Sequence, residues 1–297
     1  MRYFYYVHTG HRIGLDRFRR AATMLRWMSE SKEKGGLDLD VTLLSSDYRI
    51  AQIAREYDIK RAVGLDVVRN IPQISHHGDK LFFDSAEHNP MLHQDMVTYF
   101  STFIRMSDSK EDSTLEKEFI ISPYFENSDT SVNATIVDER YFQTYEKTIE
   151  VAFYFGDDDY EEDLLKNIDM FRDIKMELLL GFYFFLGYEE KLKEVFFTQH
   201  ENEDYDAVIT KSKVFISCSP QAILESLASG GRPIFIQRDD YPRDYIELFK
   251  SLNIPIVDGY NKDELLTTFN TVLSHNYHEI TNNKHKVNEF VKKCCNL

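Results

Sequence analysis

Val214-Phe215-Ile216-Ser217-Cys218-Ser219-Pro220-Gln221-Ala222-Ile223-Leu224-Glu225-Ser226-Leu227-Ala228-Ser229-Gly230-Gly231-Arg232-Pro233-Ile234-Phe235-Ile236 carries the strongest local signal in the chain. The apolar run ending at Ser217 reads as a buried strand. Ser219 can cap the helix that follows, and Pro220 suits its first position, where no backbone N–H is needed. Ile223, Leu224, Leu227 and Ala228 recur at helical spacing as a buried stripe. Gly230 can end the helix in a left-handed conformation, and Pro233 leads into another strand. The stretch is one strand–helix–strand step of a parallel sheet.

The same alternation extends outward. Tyr3 to His8 predicts a buried strand, and Leu15 to Ser29 a helix carrying Leu15, Phe18, Ala22 and Leu25 on one face. Val41-Thr42-Leu43-Leu44, Lys80-Leu81-Phe82-Phe83-Asp84 and Phe119-Ile120-Ile121-Ser122 read as strands, with helices around Ile50 to Tyr57 and over Met91 to Met106. The pattern weakens between Pro123 and Thr148, around the polar tract Asn127-Ser128-Asp129-Thr130-Ser131. It restarts at Glu150-Val151-Ala152-Phe153-Tyr154-Phe155, followed by Gly156. Met176 to Leu180, Glu194 to Phe197, Val214 to Ser217 and Ile234 to Gln237 supply further strands. The expectation is an α/β protein of two doubly wound, Rossmann-like domains, residues 1–146 and 147–297, facing one another across a cleft. Ligands would gather beyond the carboxyl ends of the strands.

The 297 residues include 35 Lys+Arg against 50 Asp+Glu, a formal net charge of -15, which argues against a nucleic-acid or anionic-membrane binder. No apolar run approaches the roughly 20 residues of a membrane span. The N-terminus lacks a signal peptide's apolar core. Cys218, Cys294 and Cys295 cannot make a disulfide framework. A soluble, reduced, cytoplasmic protein is expected.

The turn Thr9-Gly10-His11-Arg12-Ile13-Gly14-Leu15-Asp16-Arg17 joins the first strand to the first helix, a place that favours anions. Residues 1–27 hold six arginines (Arg2, Arg12, Arg17, Arg19, Arg20, Arg26) and one acid, Asp16, a local charge of +5. This reads either as an electropositive mouth for a phosphorylated ligand or as a solvated helix face. Glu225 sits one turn into its helix, off the apolar stripe; it could reach ribose hydroxyls or be a solvated glutamate. The run Asp157-Asp158-Asp159-Tyr160-Glu161-Glu162-Asp163 is expected to decorate a helix start rather than bind metal. His76, His77, His88 and His93 lack paired metal-ligand spacing, so no metal is expected. Asp84 and Glu87 follow a strand's carboxyl end. Cys218 could have a lowered thiol pKa near a helix start or be a buried structural cysteine.

Together these motifs resemble the GT-B-fold nucleotide-sugar enzymes, whose C-terminal signature is a strand, a small-residue loop, Glu-Ala-Leu-Ala-like residues, Gly and Pro. Here it reads Glu225-Ser226-Leu227-Ala228-Ser229-Gly230-Gly231-Arg232-Pro233, with one extra residue before the proline. Gly14-Leu15-Asp16-Arg17 is similar in placement to the family's N-terminal glycine turn, and Phe155-Gly156-Asp157-Asp158-Asp159 to its Gly-Gly-x-Asp loop. Length and motif order look closest to the UDP-sugar hydrolases of pseudaminic acid synthesis. The hydrolase's catalytic histidine falls on Arg17, which cannot act as a base, and Asp157 replaces a glycine near the expected diphosphate.

The resemblance implies a glycosyltransferase-like enzyme using a nucleotide sugar, UDP-linked, as substrate and needing no separate cofactor. Ser219 with the helix N-terminus would hold phosphate, helped by Gly156, Gly14 and Gln221, and Glu225 would hold the ribose. Arg17 or Arg12 would stabilise the departing diphosphate, and Asp16 or His11 would activate an acceptor hydroxyl. His8 or His11 could replace the missing base. Hydrolysis with a displaced base, and nucleotide-sugar binding without turnover, are the alternatives.

Overall fold

The computed structural model describes residues 1–87, 89–183 and 187–297, so His88 lies outside the described residues. The chain divides into two compact units, residues 1–136 with 282–297, and residues 137–281.

The first unit contains strands β1 (Tyr3–Val7), β2 (Val41–Ser45), β3 (Ala62–Gly64), β4 (Lys80–Asp84), β5 (Thr102–Met106), β6 (Glu118–Ser122) and β7 (Ser131–Asn133). They form one parallel sheet in the order β3-β2-β1-β4-β5-β6-β7. Helices α1 (Asp16–Ser29), α2 (Tyr48–Ile53), α3 (Ile71–Ile74) and α4 (Pro90–Tyr99) lie between the strands. All five residues of β1, Tyr3 to Val7, are buried, which is why the strand reads as continuously apolar rather than alternating. Its core includes Phe4, Tyr6, Leu44, Phe83, Met96 and Phe103. Each such side chain contributes roughly 1.5–3 kcal/mol by leaving water.

The second unit contains β8 (Ile149–Tyr154), β9 (Glu177–Leu179), β10 (Gln199–His200), β11 (Ser212–Ser217), β12 (Arg232–Gln237) and β13 (Ile256–Asp258). They pair in parallel in the order β10-β9-β8-β11-β12-β13. Its helices are α5 (Asp163–Lys166), α6 (Glu189–Leu192), α7 (Tyr205–Lys211), α8 (Pro220–Ala228), α9 (Ile246–Ser251) and α10 (Lys262–Thr271). Phe153 anchors the core, with Phe171 at 4.5 Å and Phe196 at 5.7 Å between ring centroids.

Helix α11 (Lys284–Cys295) returns to the first unit. Val287, Phe290, Val291 and Cys294 make an apolar stripe, and Phe290 meets Phe119 edge-on at 6.2 Å. Asn288 Nδ2 donates to the Gly35 carbonyl at 2.8 Å, and Lys284 pairs with Glu30. An amphipathic helix joins whichever unit offers it an apolar surface. The division therefore falls at residue 136, not 146, and the last sixteen residues leave the second half of the chain.

Three further expectations change. The stretch from Met91 to Met106 is not one helix: α4 stops at Tyr99, and Thr102 to Met106 is β5. The Glu194 to Phe197 run is not a strand; the pairing residues are Gln199 and His200. β3, β7 and β13, three residues each, went unread, whereas the equally short β9 registered because Met176 and Leu180 extend its apolar run.

Candidate functional site

In the first unit, the carboxyl ends of β1, β2, β4 and β5 lie side by side, and the turn after β1 closes on itself there. Gly14 N–H donates to the Gly10 carbonyl at 3.0 Å, and Thr9 Oγ1 donates to the Gly14 carbonyl at 2.6 Å. Gly10 (φ 149°) and Gly14 (φ 80°) adopt backbone that L side chains rarely reach, and Arg12 enters the same region at φ 76°. A Cβ on Gly10 would also approach Asp47 Oδ2 to 3.3 Å. His11 and Arg12 are exposed on this turn, whereas Asp16 is half-buried in the first turn of α1, 3.9 Å from Arg19.

The +5 segment is not an open electropositive mouth. Arg20 grips the fully buried Asp84 with two bonds, Nε to Oδ2 at 2.9 Å and Nη2 to Oδ1 at 2.5 Å, and also binds Asp108. Arg17, expected to meet a leaving diphosphate, lies 3.7 Å from Asp84 and 3.5 Å from Asp108. Arg2 pairs with Asp79, and Arg26 lines a crevice of about 350 Å³ that also holds Asp38, Asp40 and Asp58. Folding brings carboxylates from elsewhere in the chain to Arg2, Arg17 and Arg20, so a large part of the local excess is neutralised. Burial pushes the Asp84 carboxyl up, and Arg20 and Arg17 oppose that shift.

His8 is the first residue past β1. Its N–H donates to the Asp84 carbonyl at 2.8 Å. Its Nδ1 is buried and has no hydrogen-bond partner among the described residues. Burial lowers its pKa; Glu87 and Asp84 pull it up and Arg17 pushes it down. Glu87 in turn accepts from the Tyr6 hydroxyl at 2.6 Å and from Ser85 Oγ at 3.2 Å. His8 stood in the sequence reading as one of two stand-ins for the missing base. The sequence put His8 and His11 on equal footing beside the first turn; a signal that could have separated them is the position of His8 directly after a buried strand, where ligands collect.

In the second unit, Gly156 (φ 129°) opens the turn after β8. Gly181 is packed against it so closely that a Cβ would sit 2.2 Å from the Gly156 carbonyl oxygen. Asp157, Asp158 and Asp159 are buried rather than displayed. Asp159 caps α5, accepting from the N–H groups of Asp163 at 2.7 Å and Leu164 at 3.0 Å, and from the Tyr188 hydroxyl at 2.5 Å. The run thus serves a helix start as expected, but from the interior. Arg238, at the end of β12, lies over the Phe155 ring at 4.4 Å and binds Asp240 through two nitrogens at 2.9 and 2.6 Å.

The Ser219 turn forms as the sequence dictates. Ser219 Oγ accepts from Ala222 N–H at 3.1 Å, Pro220 opens α8, and Gly230 follows at φ 75°. Cys218 is buried and its thiol is pushed up to about 12 by desolvation, which makes it the structural cysteine of the two readings. Glu225 is not a solvated glutamate. It is 2% exposed, and its carboxylate accepts from Gln221 Nε2 at 2.9 Å and from the Tyr205 hydroxyl at 2.8 Å. Tyr141, whose phenol is raised first by burial and then by Glu225 and Asp206, donates to Asp206 at 2.5 Å. Gly156, Ser219, Gln221 and Glu225 all belong to the carboxyl half of this one sheet and the helix that leaves it.

No protein-family model matches the chain, and no curated protein matches its sequence. Solved structures match its fold over nearly its whole length. A Listeria monocytogenes protein provisionally assigned as a UDP-N-acetylglucosamine 2-epimerase superposes with a TM-score of 0.65 at 12% identity, covering 99% of this chain and 96% of that one. The Methanocaldococcus jannaschii UDP-GlcNAc 2-epimerase, in complex with UDP-GlcNAc and UDP, gives 0.61 at 10% identity with both chains covered completely. A spinosyn rhamnosyltransferase in complex with spinosyn aglycone gives 0.60 at 9% identity, covering 100% and 96%. The two parallel α/β units have the GT-B fold. Among the described residues, no helix is long and apolar enough to cross a membrane, and no group of three or more His, Cys, Asp or Glu is placed to hold a metal ion.

Proposed function

We propose that the protein transfers a sugar from a nucleotide-linked donor, UDP-linked by preference, to an acceptor hydroxyl, with His8 as the general base. The acceptor oxygen attacks the anomeric carbon, the bond from that carbon to the diphosphate breaks, and the acceptor proton passes to His8. The observation that carries the reading is the unpartnered, buried Nδ1 of His8 at the carboxyl end of β1, where Glu87 and Asp84 act on the imidazole electrostatically. Burial keeps the imidazole neutral and able to accept a proton. His8 replaces Asp16 and His11 in this role: Asp16 lies against Arg19, and His11 is on the exposed turn. The second unit supplies nucleotide binding, through the Gly156 turn and the α8 N-terminus, with Gln221 and Glu225 behind it.

The experiment is release of nucleoside diphosphate from a panel of nucleotide sugars, with and without acceptors, for wild type and His8→Gln. Transfer predicts acceptor-dependent release that His8→Gln lowers by about 10²–10⁴-fold. Release without acceptor selects the displaced-base hydrolase, in which water takes the acceptor's place. A second reading, nucleotide-sugar binding without turnover, is favoured by the neutralised Arg17 and the buried Asp157, which leave little positive charge for a departing diphosphate. Calorimetric UDP binding with no release from any donor selects it.

A further inference from the structure

Glu87 and His8 are neighbours without being partners. The Glu87 carboxylate points to Tyr6 and Ser85: Oε2 receives the Tyr6 hydroxyl at 2.6 Å and Ser85 Oγ at 3.2 Å, while Ser85 Oγ accepts the Glu87 N–H at 3.0 Å. His8 Nδ1 meanwhile is buried with no hydrogen-bond partner among the described residues. A carboxylate able to reach the half-buried imidazole would pair with it, since a charge-assisted bond is about twice as strong as a neutral one. Something must hold it back. Tyr6 is placed to do so: it is fully buried in β1, two residues before His8, and its ring is stacked on Phe83 of β4 at 5.4 Å and 19°. That packing fixes where the hydroxyl can be.

We propose that Tyr6 is a positioning residue whose hydroxyl holds the Glu87 carboxylate off His8, so that the Nδ1 of the imidazole stays unpaired. The inference rests on the reading of His8 as the base. The charged groups that act on His8 are Glu87 from the segment after β4, Asp84 at the end of β4, and Arg17 from α1. Asp84 is gripped by Arg20 and receives the Tyr5 hydroxyl at 3.1 Å, and Arg17 lies against Asp84 and Asp108. Asp47, from the turn after β2, holds Arg49 at 2.9 Å. Glu87 is therefore the acid whose carboxylate is held by hydroxyls, the Tyr6 phenol at 2.6 Å ahead of Ser85 Oγ at 3.2 Å. The Tyr6 phenol, raised by burial and then by Glu87, stays protonated and stays a donor.

The test is the titration of His8 followed by NMR of the histidine ring protons, its resonance among the ten histidines assigned by loss in His8→Gln. Wild-type His8 should titrate below 6.5. In Tyr6→Phe, which keeps the stacked ring and removes only the hydroxyl, the midpoint should rise by about one pH unit as Glu87 closes on the imidazole. Ser85→Ala should give a smaller rise, and adding Glu87→Gln to Tyr6→Phe should abolish it. An unchanged or lowered midpoint in a folded Tyr6→Phe protein overturns the proposal. If Tyr6→Phe does not fold, an unshifted Ser85→Ala midpoint overturns it instead. In any turnover assay, Tyr6→Phe should move the acid limb of kcat/KM upward by the same amount, which a purely structural role would not do. The titration needs no substrate. Failure of the donor panel thus removes the transfer reading and leaves the clamp, whereas an unmoved His8 removes the clamp and leaves the transfer reading.

Discussion

Replacing Glu225 with alanine removes the acceptor of two buried donors, the Tyr205 hydroxyl at 2.8 Å and the Gln221 amide at 2.9 Å. Hydrogen bonds to a charged group contribute roughly 1.5–3 kcal/mol each, so the two together are on the order of 3–6 kcal/mol. The carboxylate's own desolvation is relieved when it is deleted, which offsets part of the loss and leaves a destabilisation of about 2–4 kcal/mol. For a domain of this size 1 kcal/mol moves Tm by roughly 2–4 °C, so the melting transition of the second unit should fall by roughly 4–16 °C. Glu225→Gln keeps the shape and one acceptor oxygen and should lose about half as much. Scanning calorimetry with and without UDP reads both effects, and isothermal calorimetry below the lower transition separates affinity from folding. An unchanged Tm in Glu225→Ala would refute the reasoning, because it would mean that neither Tyr205 nor Gln221 depends on this carboxylate. Both readings of Glu225 from the sequence, ribose ligand and solvated glutamate, predict that unchanged Tm.

Arg20→Ala strands the buried Asp84 carboxylate and should cost about 3–5 kcal/mol by urea unfolding, whereas Arg17→Ala, with pairings of 3.5 and 3.7 Å, should cost under about 1 kcal/mol; equal losses would overturn this ranking. Gly181→Ala forces a Cβ to 2.2 Å from the Gly156 carbonyl oxygen and should lower Tm by several degrees or more, while Gly78→Ala, with nothing within 4 Å, should be neutral or slightly stabilising. His8 has a folded-state pKa below its ordinary 6.5, so between those two values the unfolded chain binds more protons than the native one. Stability should therefore rise with pH through that window and fall on acidification, and His8→Gln should flatten that part of the profile measured by urea midpoints; an identical slope in the variant would count against a buried neutral imidazole.

The local rules worked where structure is made by residues close in sequence. The Ser219 cap, Pro220 at the helix start, the apolar stripe of α8 and the left-handed Gly230 are all present as their residue types require. Lys80 to Asp84 forms β4 without a shifted end. Expectations failed where a short element had no period of its own. Thr102 to Met106 was absorbed into the preceding helix because Phe103, Ile104 and Met106 are apolar at spacings either element allows, and only pairing with Lys80 to Phe83 decides the matter. The placement of the candidate turns was legible: those holding Gly14, Gly156 and Ser219 follow the ends of parallel strands, as the βαβ pattern demands.

By itself, then, the sequence determined the alternating elements, the two parallel sheets and the turns at their carboxyl ends, because caps, prolines, glycines and apolar periods act over a few residues. Only the tertiary structure decided what the charges mean. Arg20 meets Asp84 and Asp108 across 64 and 88 residues, and Glu225 meets Tyr205 across 20. An arginine-rich segment became a neutralised buried network, and a glutamate that read as surface or ribose ligand became the centre of a buried one. His8, one of two histidines flanking the first turn, was left with a buried, unpaired nitrogen. Charge acts through space rather than along the chain, so its partners are known only once the strands that carry them lie side by side.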